Sequence, residues 1–300
     1  MRPTLRQLQY IVAVAEAGRF HEAARRVNVS QPSLSAQIAD VETSLDVCLF
    51  ERGRSGAVVT ALGQDFVRRA KIILRDVEAL RMAMQEGHGP LSGVFRLGVL
   101  PSIGPYLLPS VVKRLHSDYP ELRLNVQEWR TVDLQNGLSG GDVDAVVSSA
   151  IDHRNMEAAP LFTERLWICA APDDPLAGIG PIALSALKGR ELLTVGTGYR
   201  LFLIAQQIAD RSGAVIANEF AGTSLDAIRQ MAGMGTGLAV LPSLYALTEA
   251  RRDPDLVLRP IDDPMAEREV SLVWRPTSPL RETFETLADV MRSAAKEILE

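Results

Sequence analysis

Residues 19–52, RFHEAARRVNVSQPSLSAQIADVETSLDVCLFER, constrain this chain more than any other stretch, because they read as two helices joined by a tight turn and ready to enter a DNA groove. Ala23 and Ala24 are small enough to let two helices approach closely, and Phe20 and Val27 are apolar anchors on the first. The turn falls at Asn28-Val29-Ser30. A new helix starts at Ser30 or Gln31, since serine is a good N-cap and Pro32 suits a first turn that does not need its missing N–H. Leu34, Ile38, Val41 and Leu45 recur at helical spacing and give that helix one buried face. Ser33, Ser35 and Gln37 point elsewhere, beside the exposed start formed by Ser30 and Gln31. A recognition helix reads bases with its N-terminal side chains; glutamine pairs bidentately with adenine, and serine donates to or accepts from a base or a phosphate. Polar residues at a helix start are also ordinary caps, so the reading rests on what surrounds them.

Leu49-Phe50-Glu51-Arg52 runs into Gly53-Arg54-Ser55-Gly56 and Ala57-Val58-Val59-Thr60, a glycine-punctuated, β-prone ribbon with Arg52 and Arg54 at its tip. A wing is expected there, with arginines that hold phosphate or enter a narrow minor groove; the plainer alternative is a solvated hairpin. Residues 1–75 carry 11 Lys and Arg against 7 Asp and Glu, a net +4, and the remainder stands at −9. The acidic whole therefore hides a basic head, and the charge facing phosphate matters more to DNA than the balance of the chain. From Thr60 to Gln85, Leu62, Phe66, Ala70, Ile73, Val77, Leu80 and Met84 form an apolar seam along one long helix, with Arg68, Arg69, Lys71, Arg75 and Glu78 outside it. Such a seam packs against a second copy or against its own domain. We favour the second copy, a homodimer or homotetramer with Phe66, Ile73, Val77, Leu80 and Met84 at the contact, which would pair two recognition helices on a two-fold symmetric site. Glu86-Gly87-His88-Gly89-Pro90 ends the helix and marks a domain boundary.

Beyond the boundary, strands alternate with helices. Strand patterns at 94–99, 122–129 and 145–147 enclose helical patterns at 107–117 and 134–138; a second series has strands at 192–195, 216–220 and 238–241 around helices at 201–211 and 224–234. Two α/β lobes with largely parallel sheets result. Strand-like runs at 161–171 and 268–274 cross between them and return the last helix, 279–299, to the first lobe. The expected division is 1–60 for a winged helix-turn-helix, 61–89 for a linker helix and hinge, and 90–300 for a two-lobed α/β domain, with lobe I near 90–163 and 268–300 and lobe II near 164–267. Ligands of open α/β sheets sit outside the carboxyl ends of the strands. Four loops there stand out. Pro101-Ser102-Ile103-Gly104-Pro105 opens a helix and offers N–H groups and the Ser102 hydroxyl to an anion. Thr131 holds the equivalent place after the second strand, Gly196-Thr197-Gly198-Tyr199-Arg200 offers a guanidinium beside a phenol, and Thr223-Ser224 caps another helix start. A carboxylate or other small anion bridging Arg200 with Ser102 and Thr131 is the sharp expectation; the alternative makes each Ser or Thr a cap and Arg200 an exposed cation.

Residues 2–89 resemble the N-terminal domain and linker helix of LysR-type transcriptional regulators. The carrying residues are Leu5-Arg6-Gln7-Leu8, Phe20, Ala23-Ala24, Ser30-Gln31-Pro32-Ser33-Leu34-Ser35, Gln37-Ile38, Leu45, Leu49-Phe50-Glu51-Arg52, Thr60 and Gly63, and the resemblance continues to the C-terminus. Where many members carry arginine this chain has Ala36, and Asp40 and Val41 replace a commonly basic stretch. Base readout is then expected to lean on Gln31, Ser33, Ser35 and Gln37, with Arg52 and Arg54 gripping the backbone. The resemblance implies a two-lobed effector domain similar to a periplasmic solute-binding protein, whose lobe angle changes with effector and alters the spacing of paired DNA-binding domains. It implies as partners double-stranded DNA, a small-molecule effector, further copies of the chain and RNA polymerase, in the cytoplasm, with no cofactor, metal or membrane. Gly104-Pro105-Tyr106-Leu107-Leu108-Pro109, Thr223-Ser224-Leu225, residues 235–242 and Arg275-Pro276-Thr277-Ser278-Pro279-Leu280-Arg281 look most like the OxyR-like, peroxide-sensing branch. That branch uses a reactive and a resolving cysteine in the second lobe; aligned ungapped from Leu192 to Gly213, those positions fall on Arg200 and Ala209. A thiol switch needs a thiolate and a partner. Cys48 in the winged-helix core and Cys169 in a strand pattern are read as small buried apolar residues, with a thiol-based response through Cys169 as the alternative regulator.

Composition agrees with a regulator rather than an enzyme or an exported binder. With 300 residues, 47% of them hydrophobic, the chain can bury two or three cores. Two scattered cysteines give neither a disulfide framework nor zinc spacing. No apolar run reaches the roughly 18 residues of a membrane span, and MRPTLRQLQY lacks a signal-peptide core. His21, His88, His116 and His153 have no metal spacing, no P-loop, nucleophile elbow or GxGxxG occurs, and Asp142, Asp144 and Asp152 are read as turn residues.

Overall fold

In a computed structural model, the described residues are 3–53, 56–83, 93–217, 222, 224–252 and 257–299. The chain divides into two compact units, residues 1–87 and, apart from residues 139–142, the remainder. The hinge sequence 86–90 lies outside the described residues.

The first unit runs α1 (Leu5–Ala17), α2 (Phe20–Arg26), α3 (Gln31–Leu45), β1 (Phe50–Gly53), β2 (Gly56–Val59) and α4 (Ala61–Ala83). A capping box between Thr4 and Gln7 starts α1. Ala23 and Ala24 are 0% and 2% exposed, so the small pair does bring the helices together over a core that includes Tyr10, Ile11, Val14, Leu34, Ile38, Val41 and Phe50. Asn28 turns the chain between α2 and α3 in the left-handed region (φ 54°), which asparagine tolerates better than most residues. The strands β1 and β2 form the expected antiparallel wing, Phe50 opposite Val59 and Gly53 opposite Gly56. A Cβ at Gly63 would sit 2.2 Å from the Leu49 carbonyl oxygen, so glycine is what lets α4 leave the wing so closely.

Two expectations for this unit are corrected. Leu45 is 40% exposed, because Asp46 takes a left-handed conformation and ends α3 before the buried face reaches its last turn. The seam of α4 also splits. Ala70 is buried, and Phe66 and Val67 pack against the unit's own core, whereas Leu62, Ile73, Val77 and Leu80 are exposed. Phe66 therefore serves its own domain, and the open stripe begins at Ile73; Met84 lies outside the described residues.

The second unit contains β3 (Gly93–Val99), α5 (Gly104–Asp118), β4 (Leu122–Glu128), α6 (Thr131–Gly140), β5 (Ala145–Ser148), β6 (Glu157–Ala170), β7 (Glu191–Leu193), α7 (Arg200–Ser212), β8 (Val215–Ile216), α8 (Leu225–Gly233), β9 (Leu238–Pro242), α9 (Ser243–Arg252), β10 (Val257–Pro260), β11 (Glu267–Trp274) and α10 (Arg281–Leu299). The strand order is β4-β3-β5-β11-β6-β9-β7-β8, with β10 also on β6. Each end is a parallel trio, and the antiparallel pair β6 and β11 joins them. Two apolar cores follow. One gathers Leu97, Leu107, Val146, Trp274, Phe284 and Met291, and so takes in α10; the other gathers Ile168, Leu192, Ile204, Ile208, Val240 and Tyr245. The sequence pattern did not anticipate α9, which straddles the lobes: Leu244 belongs to the first core and Tyr245 to the second.

One irregularity positions the chemistry. On β6, Pro160 pairs with Ser271 and Phe162 with Val270, which leaves Leu161 as an extra residue. A bulge of this kind moves the following side chains to the other face. Burial shifts from Ala159 and Leu161 to Glu164, Leu166 and Ile168, so a strand that reads as apolar by simple alternation carries a carboxylate inward.

Candidate functional site

The start of α3 is built locally. Ser30 is the N-cap, and its Oγ accepts from the Ser33 N–H at 3.3 Å. Gln31, Pro32 and Ser33 are exposed with Ser30, Ser35 and Gln37 are half-buried, and Ala36 is exposed between them. The unpaired N–H groups of a helix start favour phosphate, and the neighbouring α2 ends in Arg25 and Arg26, both exposed and both paired with Glu22. Arg54 and the side chain of Arg52 lie outside the described residues.

In the second unit, the carboxyl ends of the parallel strands bring residues of both lobes together. Arg200 opens α7, and its Nη1 lies 3.1 Å from Asp152 Oδ1, in the short turn after β5. Tyr199 at the N-cap makes no side-chain capping bond; instead Thr131, at the start of α6 in the first lobe, accepts from the Arg200 N–H at 3.3 Å. One lobe thus caps a helix of the other. Beneath lies a second ion pair. Arg268 on β11 stands directly opposite Glu164 on β6, with Nη2 2.6 Å from Oε2 and the side chains 3% and 0% exposed. Arg268 Nη2 also donates to Ser102 Oγ at 3.0 Å, and Glu164 Oε1 accepts from the Leu244 N–H at 3.1 Å. The loop after β3, both crossing strands and the start of α9 are fastened at one point.

Between these pairs lies a cavity of ≈10 Å³, lined by Leu100, Pro101, Ser102, Val195, Tyr199, Arg200, Leu201, Leu225 and Arg268. That is the lower limit for a single water molecule. Burial pushes the Asp152 carboxyl above its ordinary value, opposed by Arg200 and then Arg268, and its Oδ2 is buried with no hydrogen-bond partner. His153 is 4% exposed with neither ring nitrogen bonded, and burial lowers its pKa to about 4, so the ring is neutral near pH 7.

Of the residues singled out in sequence, Ser102, Thr131, Tyr199 and Arg200 come together. Ile103 does not line the site: its side chain is fully buried in the first core and its N–H is bonded to the Leu100 carbonyl. Thr223 lies outside the described residues, and the neighbouring Ser224 caps α8. Arg200 is not an open cation, and Asp152 is its partner rather than a turn residue. Asp152, Glu164 and Arg268 were missed as a group. A lone charge inside an apolar strand run, as at 164 and 268, was the available signal, because such residues are almost never fully buried unless paired. Nothing short of the topology connects Asp152 to Arg200.

Cys169 is buried on β6, as expected. Cys48 is exposed, against expectation, because Leu49 and Phe50 take the inward positions before the wing and Cys48 faces out, its Sγ 3.4 Å from the Phe50 oxygen. Among the described residues no group of three or more His, Cys, Asp or Glu is arranged to hold a metal ion, and no helix is long and apolar enough to cross a membrane.

Known proteins place this architecture. Residues 5–64 match the family of bacterial regulatory helix-turn-helix proteins of the lysR type, and residues 88–296 match the LysR substrate binding domain. The hydrogen peroxide-inducible genes activator of Pectobacterium carotovorum subsp. carotovorum is 36% identical over 298 residues, covering 99% of this chain and 98% of that protein. The DNA-binding transcriptional dual regulator OxyR of Escherichia coli K12 is 36% identical over 293 residues, covering 96% and 95%. Full-length OxyR from Pseudomonas aeruginosa, in a Cys-to-Asp variant, superposes with a TM-score of 0.79 at 30% identity over 97% of this chain and 98% of that one. With a winged helix-turn-helix ahead of a two-lobed α/β domain and likeness along its whole length, the chain belongs to the LysR family of DNA-binding transcription regulators with an effector-binding domain.

Proposed function

We propose that this chain switches transcription in response to a small anion bound between the lobes of its effector domain, and that the switch is not a thiol. Arg200 carries the reading: it stands where the resemblance to peroxide-sensing regulators expects a reactive cysteine, and its guanidinium reaches across the lobes to Asp152. A ligand drives such a domain only by binding one lobe arrangement better than the other. Ser102, Thr131, Tyr199 and Arg200 would contact it, because they border the cavity or the cross-lobe hydrogen bond.

Ser30, Gln31, Pro32, Ser33, Ser35 and Gln37 are proposed to meet the operator, with Arg52 and Arg54 on phosphate. The exposed stripe Ile73, Val77 and Leu80 is proposed to pair two copies, with Met84 assigned to the same contact from its sequence spacing alone, which supports a dimer or a higher homo-oligomer. The proposed division into 1–60, 61–89 and 90–300 assigns DNA binding, pairing and effector binding to successive segments. The reading contains no catalytic step and calls for RNA polymerase as a partner at the promoter. Kinship with proteins named as peroxide-inducible activators favours a redox response instead. The full burial of Cys169 opposes it, since reactive thiols sit in accessible, electropositive surroundings.

A thermal-shift screen of small carboxylic acids and other metabolites tests the placement, because a ligand selective for the folded state raises the apparent Tm. A compound that stabilises the wild type and loses most of that effect in Arg200→Ala supports it; equal shifts in both proteins put the effector elsewhere.

A further inference from the structure

Asp152 and Glu164 each hold an arginine at the lobe junction, but not equally well. Both oxygens of Glu164 are used: Oε2 accepts from Arg268, and Oε1 accepts from the Leu244 N–H. Asp152 meets Arg200 through Oδ1 alone, and its Oδ2 is buried with no hydrogen-bond partner. A guanidinium offers a planar fork that two carboxylate oxygens can fill together, and a buried oxygen left unbonded carries its full desolvation cost. One carboxylate is therefore satisfied at both oxygens, and the other holds its arginine with one buried oxygen left unbonded. Arg200 also borders the small cavity, whose apolar side is formed by Leu100, Val195, Leu201 and Leu225 and whose other cation is the Glu164-paired Arg268.

We propose that Asp152 is a built-in competitor for the effector: it stands on Arg200 in place of the carboxylate of a small monocarboxylic acid with an apolar body, which displaces it on binding. The inference rests on the reading that the effector binds between the lobes. Displacement is a non-covalent exchange. The incoming carboxylate accepts two hydrogen bonds from Arg200, and the apolar body takes up the aliphatic wall. The present cavity, ≈10 Å³, excludes such a molecule until the lobes part, and Asp152 reaches Arg200 from the first lobe, so its release removes one contact that holds them together. Specificity follows from the same geometry. An amide of equal shape cannot satisfy the guanidinium as an anion does, and a dicarboxylate would bring a second charge to a wall of leucine and valine whose other cation, Arg268, is already paired with Glu164.

The test uses the full chain as wild type, Asp152→Asn, Asp152→Ser and Arg200→Ala, with butyrate and benzoate as probes and butyramide and benzamide as neutral controls, read by calorimetry and ligand-induced Tm shift. Removing the competitor should tighten binding of the acids roughly tenfold in Asp152→Asn while the amides gain nothing. Asp152→Ser, which removes the carboxylate without its shape, should show the same direction and reports if Asp152→Asn fails to fold. Unchanged or weaker acid binding in both variants overturns the competitor role, and amides binding as well as acids overturn the ligand class. If no acid binds any variant but another metabolite binds in an Arg200-dependent way, the competitor fails and the inter-lobe site stands. If a ligand binds wild type and Arg200→Ala equally, the inter-lobe site itself fails, and the competitor with it.

Discussion

The helix proposed to read DNA and the helix proposed to sense the effector begin in opposite ways. The start of α3 is closed by its own Ser30, three residues from the N–H it serves. The start of α7 is closed by Thr131, 69 positions away, and its first side chain is held by Asp152, 48 positions away, both in the other lobe. A self-capped helix offers the same polar groups however the rest of the protein moves, which suits reading a fixed base sequence. A helix capped from another lobe changes its surroundings when the lobes move, and that suits a sensor. The difference teaches where rigidity and responsiveness are stored: in local hydrogen bonds for one helix, in long-range ones for the other.

The comparison can be broken most forcefully at the fixed anchor under the sensor. Glu164→Ala leaves Arg268 buried without its carboxylate and should cost about 3–5 kcal/mol in denaturant unfolding, far more than Asp152→Ala at the partly exposed pair above, whose side chains are 12% and 27% exposed. Equal losses at the two sites would mean that the junction has no division between a permanent and an exchangeable pair. Next in size is an acid effect. The folded chain refuses a proton at His153 until about pH 4, whereas an ordinary histidine takes one near 6.5. Between those values the unfolded state binds the extra proton, so stability is lost as the pH is lowered from about 6.5 to about 4, by up to roughly 3 kcal/mol. His153→Leu should abolish that slope with little change near pH 7, since no hydrogen bond is lost; a Tm difference from wild type that stays constant from pH 7 to 4.5 rules this out. The smallest effects sharpen the contrast of caps. Ser30→Ala should cost about 1 kcal/mol and weaken operator binding without altering effector affinity. Thr131→Val should cost about 0.5 kcal/mol and alter effector affinity without weakening basal operator binding. Exchanged phenotypes would reverse the assignment of the two helices.

The same division explains what could be read from sequence. The turn at Asn28, the cap at Ser30 and the buried stripe from Leu34 to Val41 are encoded within a few residues of one another, and all three were legible. The alternation of strands and helices likewise announced two lobes, crossing strands and a returning helix. Legibility ended where one residue changed a register or where the deciding partner lay far along the chain. The extra residue at Leu161 turned Glu164 inward, and no periodicity could show that it would face Arg268. Arg200 could be singled out from the sequence as a candidate, but the carboxylate that holds it could not. Leu45 and Cys48 were misplaced for a related reason: Asp46 ends α3 and resets which side chains face the core.

The central claim is that the signal reaches DNA through a bound anion at Arg200 and not through a thiol. The most direct measurement is the operator footprint of the wild type and of a Cys48→Ser, Cys169→Ser double variant, each with and without hydrogen peroxide. A switch based on Arg200 gives four identical footprints. A peroxide-induced change in the wild type that the double variant loses would contradict it.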